Sequence, residues 1–180
     1  QGGRQDGYVG AVTRSGLVVI ASTRASSGIY EDRCGPVIVD WLAARDIRTP
    51  APVVVADGAP VDAALRSALA DGHDVIITSG GTGISPTDST PQITAALLDY
   101  DIPGLADAIR RAGLPHVPTS VLSRGVCGVA GRTLIVNLPG SLGGVKVVID
   151  YNENYRADVL PDIVTMNIQR GNHATYNIEA

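Results

Sequence analysis

Phenylalanine is absent from this 180-residue chain, and aromatic side chains make up only 4% of it. A core built on large rings is therefore excluded, and the 44% of hydrophobic residues must pack mainly as Val, Ile, Leu and Ala. Clustered basic charge is missing too: the net charge is −4 with Lys and Arg scattered, which excludes the electrostatic footprint of a duplex nucleic-acid binder. Apolar runs such as residues 17–21 and 75–77 fall far short of the roughly 20 residues that cross a bilayer, so no membrane span is expected.

Cysteine is scarce. Cys34 and Cys127, in a chain with no recognisable signal peptide, are expected as reduced thiols in the cytoplasm. Neither falls in a C-x-x-C pair, and His73, His116 and His173 show no ligand spacing, which leaves no zinc motif. No Ser-His-Asp order is recognisable, and Cys127, in GVCGV, is expected as a small buried thiol rather than a nucleophile.

What is present is alternation. A domain of about 150 residues buries roughly 70% of its unfolded surface, so one sizeable core is expected. Residues 17–21 form a short β-branched run, the pattern of a strand covered on both faces. Val37, Ile38, Trp41 and Leu42 then share a helical face. Residues 52–56 read as a second strand, and Pro60 opens a helix whose stripe of Val61, Ala64, Leu65, Ala68 and Leu69 ends at Gly72. Residues 74–78 read as a third strand, 90–98 and 105–111 as helices, and 133–138 as a last strand. Such alternation predicts an α/β fold, a three-layer α/β/α sandwich on a mostly parallel sheet, over residues 16–145. Residues 1–15 are Gly-rich and aperiodic, a loose N-terminal segment. Residues 146–180 hold five of the six asparagines and Pro161, and are expected to be partly helical and packed on the same domain.

The chemistry concentrates in residues 78–91, TSGGTGISPTDSTP. Ser79, Gly80, Gly81, Thr82 and Gly83 follow directly on a buried strand, where glycines permit positive φ and let amide N–H groups turn toward a phosphate. Ligands of open α/β sheets also bind beyond the carboxyl ends of the strands. The loop lacks the P-loop Lys and the G-x-G-x-x-G spacing, so an ordinary Gly-rich turn is the competing explanation. Thr87 and Asp88 favour function, since a carboxylate in an anion-gathering loop makes sense if a divalent cation, here Mg²⁺, bridges it to a triphosphate.

Asp57 ends the second strand in an Asp-Gly turn and is a candidate to share the same crevice as a second catalytic and metal-binding carboxylate, although Asp-Gly turns are common. Asn137, Pro139, Gly140 and Ser141 close the last strand at the same edge, where a glycine and a hydroxyl suit a base or ribose, or form a bare turn. Ser120, Ser123 and Arg124 add hydroxyls and one permanent cation, suited to a phosphate or polar ring, or simply to an exposed loop.

In this order, Ser26-Ser27-Gly28, Asp32-Arg33, Gly35-Pro36, Asp57-Gly58, SGGTGISPTDSTP, residues 103–110 (PGLADAIR), residues 120–124 and NLPGS resemble the MogA/MoaB family of molybdenum cofactor biosynthesis proteins, which includes the gephyrin G domain and its plant counterpart. The resemblance covers residues 17–145 and implies adenylylation of the terminal phosphate of molybdopterin by Mg-ATP with release of pyrophosphate. It further implies that Asp57 and Asp88 are essential, that Gly80 to Gly83 hold phosphate or pterin, that residues 137–141 border the nucleotide, that the protein is a homotrimer, and that its product passes to a molybdenum insertase. Thr23 stands where many members carry Asp, Asp107 where they carry Glu, and Leu142 where a proline commonly follows. Two alternatives are a MoaB-like protein that binds molybdopterin without efficient catalysis and an oligomeric scaffold domain. A dinucleotide-dependent oxidoreductase is disfavoured, because the first strand leads to Ser22-Thr23-Arg24 and not to a glycine fingerprint.

Overall fold

The computed structural model describes residues 13–149. Its spine is β1 (Arg14–Ala21), flanked on one side by β2 (Ile47–Arg48) and β3 (Val53–Val55) and on the other by β4 (Val75–Ser79). Beyond β4 come β7 (Thr133–Leu138), β6 (Cys127–Ala130) and β5 (Tyr100–Asp101). All pairings from β2 and β3 through β7 are parallel, and β6 and β5 add an antiparallel margin. The mostly parallel sheet is thus as the alternation predicts.

Strand alternation divides the core in two. Val18, Ile20, Ile77, Leu134 and Val136 face α2 (Cys34–Ala43), α5 (Pro103–Gly113) and α6 (Leu142–Ile149). Leu17, Val19, Ile76 and Ile135 face α3 (Ala59–Ala70) and α4 (Thr90–Leu97). Because helices cover both faces, the central strands read as continuous apolar runs, and β4 and β7 are buried along their full length. Ile38, Trp41 and Leu42 anchor α2, and Val61, Leu65 and Ala68 anchor α3, as their spacing predicts.

Several features differ from expectation. β1 starts at Arg14, two residues inside the expected lead-in, because Arg14 and Ser15 pair with β2. Likewise α6 runs on to Ile149, past the expected boundary at 145. The remainder of the expected N-terminal and C-terminal segments lies outside the described residues. Strands β2 and β5 are two residues each, too short to leave a periodic signal, and β6 is masked by Gly128. That glycine is required: a Cβ there would collide with the carbonyl of Tyr100 on β5. A further short helix, α1 (Thr23–Ser26), follows β1 at once, and residues 118–122 form a 3-10 turn.

Both cysteines are buried free thiols. Burial on β6 pushes the Cys127 thiol up from 9.0 to about 12, against smaller lowering effects of a backbone hydrogen bond at Asn137 and the charge of Arg110. The folded state therefore favours the neutral thiol. This contribution to stability is complete below pH 9.0 and is lost as pH rises toward about 12. In denaturant unfolding at pH 8 and pH 10.5, the wild type should lose stability more steeply than Cys127→Ala; equal slopes would contradict the assignment.

Candidate functional site

Parallel pairing decides where the loops emerge. Ile20 pairs with Ser79, Ser79 with Leu138 and Ala21 with Val55, so β1, β3, β4 and β7 end at one edge of the sheet. The chain leaves β1 toward β3 and returns across it to β4, which makes the gap between β1 and β4 the point where strand order reverses. At that gap the backbones pack directly. Gly80 has φ +101°, and a Cβ on it would collide with the carbonyl oxygen of Ala21. A Cβ on Gly140 would stand 2.9 Å from the Cα of Gly80. Any side chain at either position would force the three loops apart.

A cleft of about 480 Å³ opens above this contact. Asp57 and Asp88 both line it, together with Ser79, Gly80, Gly81, Gly140 and Ser141. Sequence reasoning missed part of its wall: Ser22, Arg24, Tyr30, Asp32, Arg33 and Cys34 also line the cleft. The signal available was their place directly after β1, at the carboxyl edge. Arg24 lies over the Tyr30 ring at 5.6 Å from its centroid, and the Tyr30 and Ser22 hydroxyls are 3.1 Å apart. Asp32 accepts from the N–H groups of Cys34 and Gly35 at 2.9 and 3.0 Å and so caps α2. Burial is the main cause that raises the Cys34 thiol, which donates weakly to the Gly140 carbonyl at 3.7 Å.

The carboxylates are held differently. Asp57 Oδ2 accepts from the Thr23 N–H at 3.0 Å and from the Thr23 hydroxyl at 2.7 Å. Asp88 lies at the end of a loop clasped by Arg124, whose N–H groups donate to the carbonyls of Thr82 at 2.8 Å, Gly83 at 2.7 Å and Asp88. Its Oδ2 would stand 2.6 Å from a Cβ on Gly83, so that glycine lets the carboxylate fold over the loop.

Other expected residues take other places. Arg124 braces the loop through these donations and is not among the residues that line the cleft. Asn137 is buried within the wall: its amide donates to the hydroxyls of Thr78 at 2.9 Å and Thr94 at 3.0 Å, and its Oδ1 accepts from the Val126 N–H. It supports the edge from inside, because β7 places it between β4 and α4. Thr82, Gly83, Ser120, Ser123 and Pro139 line a separate hollow of about 310 Å³, floored by Ile109, Val147 and Val148. Ser141 borders both hollows, with the Gly80–Gly83 turn and Pro139 as the partition. Thr87 is exposed and pairs with the Ser85 hydroxyl at 3.0 Å.

Comparison with known proteins then decides the lineage. Residues 17–152 match the family model described as "Probable molybdopterin binding domain". The chain belongs to this molybdopterin-binding family. It is 34% identical over 154 residues to the molybdopterin adenylyltransferase of Haemophilus influenzae, covering 83% of this chain and 78% of that protein. Among solved structures, the molybdopterin biosynthesis Mog protein of Mycobacterium ulcerans is 62% identical with a TM-score of 0.74, covering 84% of this chain and 95% of that one. A MogA structure, the "anomalous substructure of MogA", is 60% identical with a TM-score of 0.79, covering 86% and 99%. The MogA/MoaB resemblance read from the motifs is therefore correct, and the α/β/α sandwich is the fold of these relatives.

Within this member of the molybdopterin-binding family, the two supports of the site should respond differently to mutation. Asn137→Ala strands the fully buried Thr78 and Thr94 hydroxyls and should cost about 2 kcal/mol of unfolding free energy or more. Arg124→Ala should leave global stability nearly intact but speed amide exchange across residues 81–88. Unfolding curves and hydrogen-exchange mass spectrometry check both; unchanged loop exchange in Arg124→Ala would refute the brace.

Proposed function

We propose that this protein is a molybdopterin adenylyltransferase of molybdenum cofactor biosynthesis, using Mg-ATP and releasing pyrophosphate. One observation carries the reading: Asp57 and Asp88 line a single cleft, above a Gly80–Gly81 backbone that turns at the switch point of the sheet. The name of the Haemophilus influenzae relative supports the same activity.

The donor set fits Mg²⁺. Both carboxylates are hard oxygen donors, and among the described residues no group of three or more His, Cys, Asp or Glu is placed to hold a metal alone. Mg²⁺ ordinarily binds through one or two carboxylates plus substrate phosphates, so Asp57 and Asp88 would hold it only together with the nucleotide. Bound there, it neutralises charge on the triphosphate. The chain's own contribution is positioning: Gly80 and Gly81 let backbone approach phosphate oxygens, and Arg24 and Arg33 add positive charge to the cleft wall.

A phosphate oxygen of molybdopterin then forms a bond to the α-phosphorus of ATP while the bond to the leaving pyrophosphate breaks. No strong general base is required, since the attacking phosphate is already ionised at neutral pH. The second hollow, mostly apolar with hydroxyls from Ser120 and Ser123, is suited to a flat pterin reached past Ser141. Homotrimer assembly, a cytoplasmic setting and hand-over to a molybdenum insertase belong to the same proposal. Among the described residues no helix is long and apolar enough to cross a membrane.

Incubation of the protein with molybdopterin and Mg-ATP should yield adenylylated pterin and an equivalent of pyrophosphate. Asp88→Asn should lower that rate by about 100-fold or more while the protein stays folded. Pterin binding without pyrophosphate release from the wild type would replace this reading with a binding protein.

A further inference from the structure

Asp57 stands one residue ahead of the Gly58 N-cap of α3, where the carboxylate of an Asp can turn back to a free N–H of the first turn. Here it does not. The N-cap position of α3 is Gly58, and no side chain caps the helix. The carboxylate is instead drawn across to Thr23, 34 residues earlier in the chain.

The Thr23 contact is reciprocal. Oδ2 of Asp57 takes two donors, the Thr23 N–H at 3.0 Å and the Thr23 hydroxyl at 2.7 Å. The same hydroxyl oxygen accepts the Asp57 N–H at 3.2 Å. The other oxygen, Oδ1, has no hydrogen-bond partner among the described residues. It lies 3.2 Å from where a Cβ on Gly81 would be, on the side of the glycine turn. Gly81, at φ +63°, carries no side chain there, and the Thr90 hydroxyl lies closer still to that Cβ position, on the same side of the turn.

These bonds are not needed to join the two loops. The Ser22 N–H already donates to the Val55 carbonyl at 2.9 Å, which ties the ends of β1 and β3 together by backbone alone. Thr23 is exposed at its own position, where a hydrogen bond adds little net stability. What the hydroxyl does add is direction: it joins the Thr23 N–H on one carboxylate oxygen as the shorter of two donors and leaves the other oxygen over.

We propose that Thr23 is a positioning residue that engages Asp57 Oδ2 and presents Oδ1 alone to the cleft, so that Asp57 serves as a one-oxygen ligand of the nucleotide-bound divalent cation. This rests on the functional reading above. It also accounts for an acidic residue before a helix that forgoes capping that helix.

Thr23→Val removes the hydroxyl at nearly constant shape, and Thr23→Ser retains it. Mn²⁺ binding in the presence of α,β-methylene ATP, read as loss of the free-ion paramagnetic resonance signal, reports on the carboxylate without turnover. Thr23→Val should weaken Mn²⁺ binding and raise the Mg²⁺ concentration for half-maximal activity, each about tenfold, with the melting temperature unchanged. Thr23→Ser should stay within about twofold of wild type in both.

Wild-type Mn²⁺ affinity in Thr23→Val, or equal losses in the Val and Ser variants, would overturn the inference even if the protein adenylylates molybdopterin normally. A wild type that makes no adenylylated pterin, yet loses Mn²⁺-nucleotide affinity on Thr23→Val, would instead uphold the positioning role and overturn the functional reading.

Discussion

At the carboxyl edge of the sheet the carbonyl of Ala21, the Cα of Gly80 and the backbone at Gly140 meet with no room for a Cβ on either glycine. Three parallel strands, β1, β4 and β7, paired in register by their ladders, end at this contact. The loops that follow them are consequently held at backbone distance. Their side chains and amides project outward around one opening, and Asp57 enters from the neighbouring β3 through the Ser22 to Val55 link. A looser junction at Gly80 would separate the carboxylates from the turn they border.

The same junction divides the surface above it. On one side lies a polar cleft with Asp57, Asp88, Arg24 and Arg33; on the other lies a smaller hollow with an apolar floor. Ser141 faces both, and Ser79 ties the partition down by donating its hydroxyl to the Pro139 carbonyl at 2.8 Å. Two adjoining compartments of different polarity suit a reaction between a charged nucleotide and a flat heterocycle carrying a phosphate. The reinforcement combines a buried cluster of short polar side chains with one long, half-buried arginine. Asn137 links β7 to β4 and α4, and Arg124 closes the loop that carries Asp88.

Much of this was legible in the sequence because local signals and tertiary demands coincide. The runs at β4 and β7 are apolar throughout since helices cover both their faces, and α2 and α3 show the stripes their packing requires. The glycine turn and the two aspartates stood out because a strand-ending position gives meaning to residues that are otherwise ordinary turn formers. What the sequence concealed depends on contacts between distant segments. Arg124 and Asn137 are polar residues beside a ligand cleft, and nothing in their type separates a ligand contact from a structural brace. Their bracing contacts become visible only once the Gly83 carbonyl and the Thr94 hydroxyl are placed beside them. Likewise Arg24 reaches the cleft from α1, a single turn too short to show periodicity, and Tyr30 and Arg33 reach it from the loop between α1 and α2. Strands β2 and β5, at two residues each, exist only by virtue of the strands beside them.

The central claim is that Asp57 and Asp88 act together on one metal-bound nucleotide above the Gly80–Gly81 turn. Anomalous diffraction from crystals grown with Mn²⁺ and a non-hydrolysable ATP analogue tests it most directly. A single Mn²⁺ peak in the polar cleft, bound to Asp57 Oδ1 and to the Asp88 carboxylate with the phosphates along the glycine turn, is the expected result. A nucleotide and metal seated elsewhere, with either carboxylate out of coordination reach, would contradict the account.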